Sequence, residues 1–182
     1  AVVNAGIGGN RVQSPADYSV TAPIPGGPSA LARLERDVLE ISGLATVIWL
    51  EGINDISVGA TGAQVIAGFQ QGVTRLRARG IRVVGATLTT AVGFNGAHGT
   101  PAADAQRRLV NDWIRTPGNF DAVADFDAVT LDPATGALAV WKLSSTAHDP
   151  SEAIANGIAQ GLDAAGHRGA DVAYVGHGTT VA

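Results

Sequence analysis

The sequence predicts an α/β fold in which a parallel sheet of about five strands lies between two layers of helices. One observation is a set of short apolar runs bounded by turn residues, and such runs are typical of buried parallel strands. Another is that amphipathic helical patterns with capping signals alternate with these runs along the chain. Since short loops join the two kinds of element, right-handed crossovers should make the strands parallel.

Five apolar runs are predicted to be strands, at residues 1–3, 46–50, 81–88, 122–126 and 171–175. The segment 12–28 is predicted to be a loop, because its prolines fix φ and remove backbone donors. Turn residues follow the strand at 46–50 immediately. They should therefore lie at the carboxyl end of a strand, where open α/β sheets bind their ligands.

The first two long helices are predicted from capping signals and apolar periodicity. Ser29 can cap the first helix. Thr61 and Gln64 form a capping-box pattern at the start of the second, which should stop at Gly80. The apolar stripes that these helices should bury are Leu31, Leu34, Val38 and Leu39 in the first, and Val65, Phe69, Val73 and Leu76 in the second.

Two further helices are predicted in the second half of the chain. Thr100 and Pro101 should open the third helix, and Asp149-Pro150-Ser151-Glu152 should open the fourth. The apolar stripes expected here are Leu109, Val110, Trp113 and Ile114 in the third helix, and Ile154, Ile158 and Leu162 in the fourth.

The composition is that of a globular chain and excludes several classes of protein. Hydrophobic residues make up 46% and charged residues 15% of the 182 residues, which predicts a single domain over 1–182 with a buried core. The net charge of -4 provides no basic surface for nucleic acid. No apolar run approaches the roughly 18 residues that a membrane span needs. Cysteine is absent, which excludes disulfides and thiolate metal sites.

The segment Gly6-Ile7-Gly8-Gly9-Asn10 follows the first predicted strand, and three interpretations of it are open. A dinucleotide-binding loop would need glycine where Arg11 stands and a helix immediately afterwards, so nucleotide binding is disfavoured. A tight glycine turn at a strand end is the structural interpretation. The third interpretation is that a glycine amide is exposed there to bind a developing negative charge.

The segment Gly52-Ile53-Asn54-Asp55 follows the second predicted strand. Taken alone it would more often be a turn than a site, because Asn and Asp tolerate turn geometry. Two strand ends with small polar residues, together with the late His148 before a helix, form an edge suited to acyl transfer. An oxyanion hole needs rigid donors aimed at one oxygen, and the Gly9 N–H and the Asn54 side-chain amide are suitable ones.

These two segments, taken from Val2 to Asn10 and from Gly52 to Asp55, together resemble the second and third conserved blocks of the SGNH hydrolases, the GDSL-like esterase and lipase family. The resemblance runs in the same order from residue 1 to about residue 165, and it includes residues 80–89 and parts of 111–127. It implies a flavodoxin-like, three-layer α/β/α fold.

The resemblance also implies an activity, the hydrolysis of a carboxylic ester such as an acyl group on a carbohydrate or lipid. By that similarity Gly9 and Asn54 take the two oxyanion-hole positions, and His148 acts as the general base and then as the acid. A serine would be the nucleophile. No metal or organic cofactor is implied, and the family leans towards secreted bacterial-type esterases.

Two departures from the family pattern concern the catalytic residues. The nucleophilic serine of the family lies in a Gly-Asp-Ser block, which occurs nowhere in this sequence. Ser145 stands where the family has the Asp that orients the histidine. Asp149 is an insertion after His148, and we interpret it as a helix cap rather than a catalytic partner.

Other serines and histidines are not expected to replace the missing groups. Ser14, Ser19 and Ser29 lack the context of a nucleophile, and we interpret His98 and His167 as exposed loop residues. We therefore expect little or no activity unless residues upstream of Ala1 supply the serine. The alternative is a descendant of the fold that binds carbohydrate or has a structural role without catalysis.

The tail at 166–182 supports a separate hypothesis. Its strand-like run at 171–175 would fill the central position of the sheet that the first strand of the family occupies, which would make a circularly permuted sheet. Gly178 would then stand at the serine position, with Thr179 or Thr180 as a poor substitute nucleophile. The alternative is a surface extension or a disordered end. The oligomeric state is left open.

Overall fold

Three parallel strands form the sheet in the part of the chain that the computed structural model describes, which is residues 2–13 and 19–131 with four further positions at 156, 159, 160 and 163. The strands are β1 (Thr46–Trp49), β2 (Arg82–Ala86) and β3 (Ala122–Ala124), in the order β1-β2-β3. Both neighbouring pairs are parallel. The predicted α/β class with a parallel sheet is therefore confirmed. The sheet has three strands within the described residues, where about five were predicted.

Five α-helices accompany this sheet between residues 19 and 131, and the predicted capping signals begin three of them. They are α1 (Ala30–Leu34), continued by a π-helical turn at Glu35–Leu39, α2 (Ile53–Ser57), α3 (Gly62–Arg77), α4 (Pro101–Arg115) and α5 (Phe126–Thr130). The Ser29 hydroxyl accepts a hydrogen bond from Ala32 N at 3.1 Å. The capping box of Thr61 and Gln64 is complete, and Thr100 caps α4 ahead of Pro101.

The core is centred on Phe69 of α3, whose ring lies 6.1 Å from the rings of Trp49, Trp113 and Phe120, centroid to centroid. Phe69 is 1% exposed. Helix α3 approaches β1 closely at Gly72, where an added Cβ would lie 2.5 Å from the indole of Trp49. The absence of a side chain at Gly72 therefore lets the indole pack against the helix backbone.

Some element predictions need correction. Val2 and Val3, predicted to be a strand, lie outside the sheet and are exposed, because an apolar run becomes a strand only where another strand pairs with it. Phe126 begins α5 instead of ending a strand, since the Asp125 carboxylate caps the helix at Ala128 N. Leu109, predicted to be buried, is 53% exposed on α4.

The chain divides into two compact units, Ala1–Leu138 and Ala139–Ala182. Every element named above belongs to the first unit, and the four described positions of the second are helical. The predicted strand at 171–175 and most of the predicted fourth helix lie outside the described residues. The single domain over 1–182 and the permuted sheet therefore stay predictions.

Candidate active site

A cavity of about 250 Å³ lies where β1 ends, and it is lined by residues 6–9, residues 50–54 and Leu88. Both segments that the sequence singled out therefore line one cavity. A larger depression of about 540 Å³ lies on the outer face of α3, around Gln70, Gln71 and Arg75. It contains no carboxylate and no histidine among its lining residues, so the cavity at the end of β1 is the candidate site.

Gly52 turns the chain from the end of β1 into α2, and it has a left-handed backbone with φ of 111°. An added Cβ would lie 2.8 Å from Val65 Cγ1, so both the conformation and the packing favour glycine. The turn places Asn54 and Asp55 in the first turn of α2, immediately beyond the strand.

The Asn54 side chain is held at both of its polar atoms. Its Nδ2 donates a hydrogen bond to the Asn10 carbonyl oxygen at 2.8 Å, and its Oδ1 lies 3.4 Å from His98 Nε2. A carboxamide nitrogen carries two hydrogens. Among the described residues only the Asn10 oxygen accepts from it, so its second N–H remains for a ligand.

Gly9 lies in a tight turn that the Asn10 N–H closes by donating to the Ile7 carbonyl oxygen at 3.1 Å. Its φ of 77° is left-handed, which glycine adopts without strain. The Gly9 N–H donates to no acceptor within the described part of the chain. The turn is the predicted structural feature, and its exposed amide also leaves the predicted anion-binding role open.

Asn10 anchors this turn to the protein interior, where it is 1% exposed. Its Oδ1 accepts from Arg33 Nε at 3.0 Å and from Arg33 Nη2 at 2.7 Å. Its Nδ2 donates to the carbonyl oxygens of Gly26 at 2.6 Å and Pro28 at 2.7 Å. A side chain bonded on both sides in this way holds the Gly9 turn in one position.

Asp55 ties the same loop to α2 from the other side, which is more than the turn-forming role that the sequence indicated. Its carboxylate accepts from Val12 N at 2.9 Å and from Gln13 N at 3.3 Å. Burial raises the pKa of Asp55, while these two backbone N–H groups act in the opposite direction. No local pattern predicts this contact, because the partners are 42 and 43 residues apart.

Glu51 is a second carboxyl group in the lining of the cavity, and sequence reasoning missed it. Burial raises its pKa from 4.5 to about 7, and the Arg33 guanidinium, with Nη2 3.6 Å from Oε1, only partly opposes that effect. An acidic residue directly after a buried strand is the signal that could have found it.

His98 is not the exposed loop residue that the sequence suggested. It is partly buried in the 3₁₀ turn Ala97–Gly99, with Nε2 facing Asn54 Oδ1, and its ring packs edge-on against Phe94 at a centroid distance of 6.4 Å. The structure thus brings Gly9, Asn54 and His98 to one region of the fold.

Other predicted site residues lie outside the described part of the chain, and these are Ser14, Ser145, His148, Asp149, His167 and residues 178–180. Ser19 bonds Thr21 at 2.8 Å, and the Ser29 hydroxyl caps α1 by accepting from Ala32 N. Within the described residues, no three acidic or histidine side chains cluster closely enough to hold a metal ion. No helix there is long and apolar enough to cross a membrane.

The chain is similar to a known protein family over most of its length. Residues 1–175 match the model of the GDSL-like lipase/acylhydrolase family. The match covers both segments that line the cavity, and it also includes His148. No curated protein matches this chain.

Proposed function

This chain belongs to the GDSL-like lipase/acylhydrolase family, and from that membership we propose that the cavity at the end of β1 binds the carbonyl group of a carboxylic ester for hydrolysis. The family supports a hydrolase or esterase kind of function and implies small-molecule ester substrates. The finer proposal assigns the two oxyanion donors to Gly9 and Asn54.

The observation that carries this proposal is the hydrogen bonding of the Asn54 side-chain amide. One N–H is held by the Asn10 oxygen at 2.8 Å, and the nitrogen has a second hydrogen for a substrate oxygen. Asn10 directly follows Gly9, so the same contact ties the two proposed donors to each other. Donors that are fixed before the reaction stabilise a developing oxyanion without having to reorganise.

The proposed reaction follows the serine-esterase scheme that the family implies. A serine hydroxyl, for which this sequence has no Gly-Asp-Ser block, attacks the carbonyl carbon while His148 takes its proton. The carbonyl oxygen becomes the oxyanion bound by Gly9 and Asn54. Collapse of the intermediate expels the alcohol, which receives the proton from His148. Water, activated by His148, then releases the acid from the acyl-serine.

The lining of the cavity supports a neutral acyl group on the substrate. Apart from glycine, Glu51 and Asn54, it consists of Ile7, Leu50, Ile53 and Leu88. Ile7 is 42% and Leu50 is 52% exposed, so apolar surface is available for contact at the rim.

The first test uses the full-length protein and a short-chain p-nitrophenyl ester. We expect Asn54→Ala to lower kcat by roughly 10²–10³-fold with little change in KM, as for loss of one oxyanion donor. Asn95→Ala, at an exposed position of the loop before α4, is the matched control and should retain the wild-type rate.

Release of p-nitrophenol measures these rates, and His148→Ala is the companion variant. Equal rates for the wild type and both site variants would exclude the proposed assignment. A fall in kcat for His148→Ala alone would retain the esterase but remove Asn54 from it.

The second candidate is a domain that keeps the cavity without the chemistry. Two observations favour it: the sequence contains no Gly-Asp-Ser block, and Ser145 replaces the aspartate that orients the histidine in the family. Calorimetric titration with an acetylated sugar separates the two functions. Saturable binding without release of acetate supports the binding domain, whereas turnover supports the esterase.

A further inference from the structure

His98 contacts the site from an element that the proposed reaction does not use. Its Nε2 lies 3.4 Å from Asn54 Oδ1, although the two residues are 44 positions apart in the chain. The other held atom of the same amide, Nδ2, donates to Asn10. Asn54 is therefore contacted at its oxygen by one loop and at its nitrogen by another.

The turn that carries His98 is closed by several local contacts. Gly99 N donates to the Gly96 carbonyl oxygen at 3.1 Å, and Phe94 N donates to the Ala91 carbonyl oxygen at 2.9 Å. An added Cβ on Gly99 would lie 2.8 Å from that Ala91 oxygen, so the loop folds tightly on itself. These contacts hold the backbone of His98 in place.

The start of α4 follows directly and fixes the other side of His98. Thr100 caps α4 through Ala103 N at 3.2 Å, and its hydroxyl donates to the Ala97 carbonyl oxygen at 3.3 Å. The imidazole is further packed against the edge of Phe94, with the two ring planes 75° apart. Side chains supported by a regular element are positioned better than those on an unsupported loop.

We propose that His98 is a positioning residue, which donates Nε2–H to Asn54 Oδ1 and thereby orients the amide N–H that binds the oxyanion. The inference rests on the proposed function of Asn54. Because a carboxamide is planar, a contact at its oxygen also sets the direction of both of its N–H bonds. A donor at the oxygen polarises the amide and strengthens the hydrogen bond that its N–H makes.

The tautomer of His98 follows from this role. Asn54 Nδ2 must be the nitrogen because it faces the Asn10 carbonyl oxygen, so the atom that faces His98 is the acceptor Oδ1. In a neutral imidazole with its proton on Nδ1, the lone pair of Nε2 would face a lone pair of Asn54 Oδ1. The Nε2–H tautomer and the doubly protonated ring both donate. The 3.4 Å separation is long for a hydrogen bond, and such contacts often shorten when substrate binds.

The experiment compares His98→Leu with His98→Gln in the full-length protein labelled with ¹⁵N. The NMR signals of the Asn54 side-chain amide are identified as those that disappear in Asn54→Ala. We expect its resonances to shift in His98→Leu, which has no donor, and to stay near the wild-type position in His98→Gln, which can donate again. Asn95→Ala is the control for changes in the loop that do not involve this contact.

Kinetics provide the second measurement in a protein that hydrolyses esters. His98→Leu should lower kcat about tenfold at unchanged KM, the effect of one hydrogen bond of ordinary strength, and His98→Gln should recover most of the rate. An unaltered KM with a reduced kcat separates positioning of the oxyanion donor from a loss of substrate binding.

Two results would overturn the inference. One is an Asn54 amide spectrum that does not change in His98→Leu while the remaining spectrum shows a folded protein. The other is a shifted amide with an unchanged kcat in an active enzyme. Failure of the proposed function is recognised separately, because either the unaltered protein would release no p-nitrophenol or Asn54→Ala would keep the wild-type kcat.

Discussion

At the scale of single residues, the fold disfavours the charged form of Glu51. Burial raises its pKa from 4.5 to about 7 although Arg33 lies beside it. The guanidinium of Arg33 is also shared with Asn10 and Asp37, so it compensates Glu51 only in part. The raised pKa means that the folded protein binds the proton more tightly than the unfolded chain does.

The sign of the pH dependence follows from that difference. The contribution of Glu51 to stability is fully present below pH 4.5, where both states are protonated. It is lost as the pH rises to about 7, and no further loss occurs above that value. The carboxyl group therefore destabilises the fold at the pH where it is ionised.

Glu51→Gln should remove this loss, because the amide keeps the shape without the charge. We expect the variant to be more stable than the wild type at pH 8 by as much as about 3 kcal/mol, and equally stable near pH 4. Urea unfolding of both proteins at the two pH values measures the difference. A variant that is less stable at pH 8 would show that the ion pair with Arg33 outweighs the effect of burial.

At the scale of elements, local signals in the sequence set the beginnings of α1, α3 and α4. The capping box of α3 is one example: the Thr61 N–H donates to Gln64 Oε1 at 2.8 Å and Gln64 N donates to the Thr61 hydroxyl at 3.3 Å. Both partners lie within one turn of each other. For this reason the element could be predicted from the sequence without any knowledge of the fold.

Thr61→Ala should destabilise the protein by about 1 kcal/mol, because the helix loses the side chain that accepts from its first turn. Thr74→Ala on the same helix is the matched control. The Thr74 hydroxyl donates to the Gln70 carbonyl oxygen in the helix interior, where alanine is the better helix former. Thermal unfolding should show a lower Tm for the first variant and an equal or higher Tm for the second. Equal losses would contradict the capping role.

At the scale of the whole molecule, a buried network joins α4 to α5 and to the segment after β2. Arg107 donates to Asp104 Oδ1 at 2.8 Å, to Asp127 Oδ1 at 2.5 Å and to the Leu88 carbonyl oxygen at 2.8 Å. Asn111 bonds both backbone groups of Leu88. Because Leu88 lines the cavity, this network also positions one wall of the candidate active site.

Arg107→Met should destabilise the protein by as much as about 3–5 kcal/mol, since it removes the buried cation between Asp104 and Asp127. Among the described residues, the two carboxylates then keep only the more exposed Arg108 and Arg115 as partners. Arg108→Met is the control, because Arg108 also pairs with Asp104 at 2.7 Å but is 66% exposed. We expect that variant to lose less than about 1 kcal/mol. Chemical denaturation measures both. A similar loss in the two variants would mean that burial does not determine the strength of this network.

The candidate site could be predicted only in part, for a reason that Asn54 illustrates. The strand-end position of Asn54 and its likeness to the family block were visible in the sequence. Its contacts with Asn10 and His98, each 44 residues away, were not. Arg33 and the buried role of Asp55 were missed in the same way, because no local pattern marks partners that only the fold brings together. Glu51 was missed although its place directly after a buried strand was visible in the sequence.

The sequence by itself determined the fold class, the starts of α1, α3 and α4 and the two segments that line the cavity, because periodicity, caps and strand-end turns act over a few residues. Only the tertiary structure decided that Val2 and Val3 stay outside the sheet, that Phe126 enters a helix and that His98 faces Asn54. These outcomes depend on pairing, burial and hydrogen bonding between distant segments. Their free energies arise when the chain closes on itself.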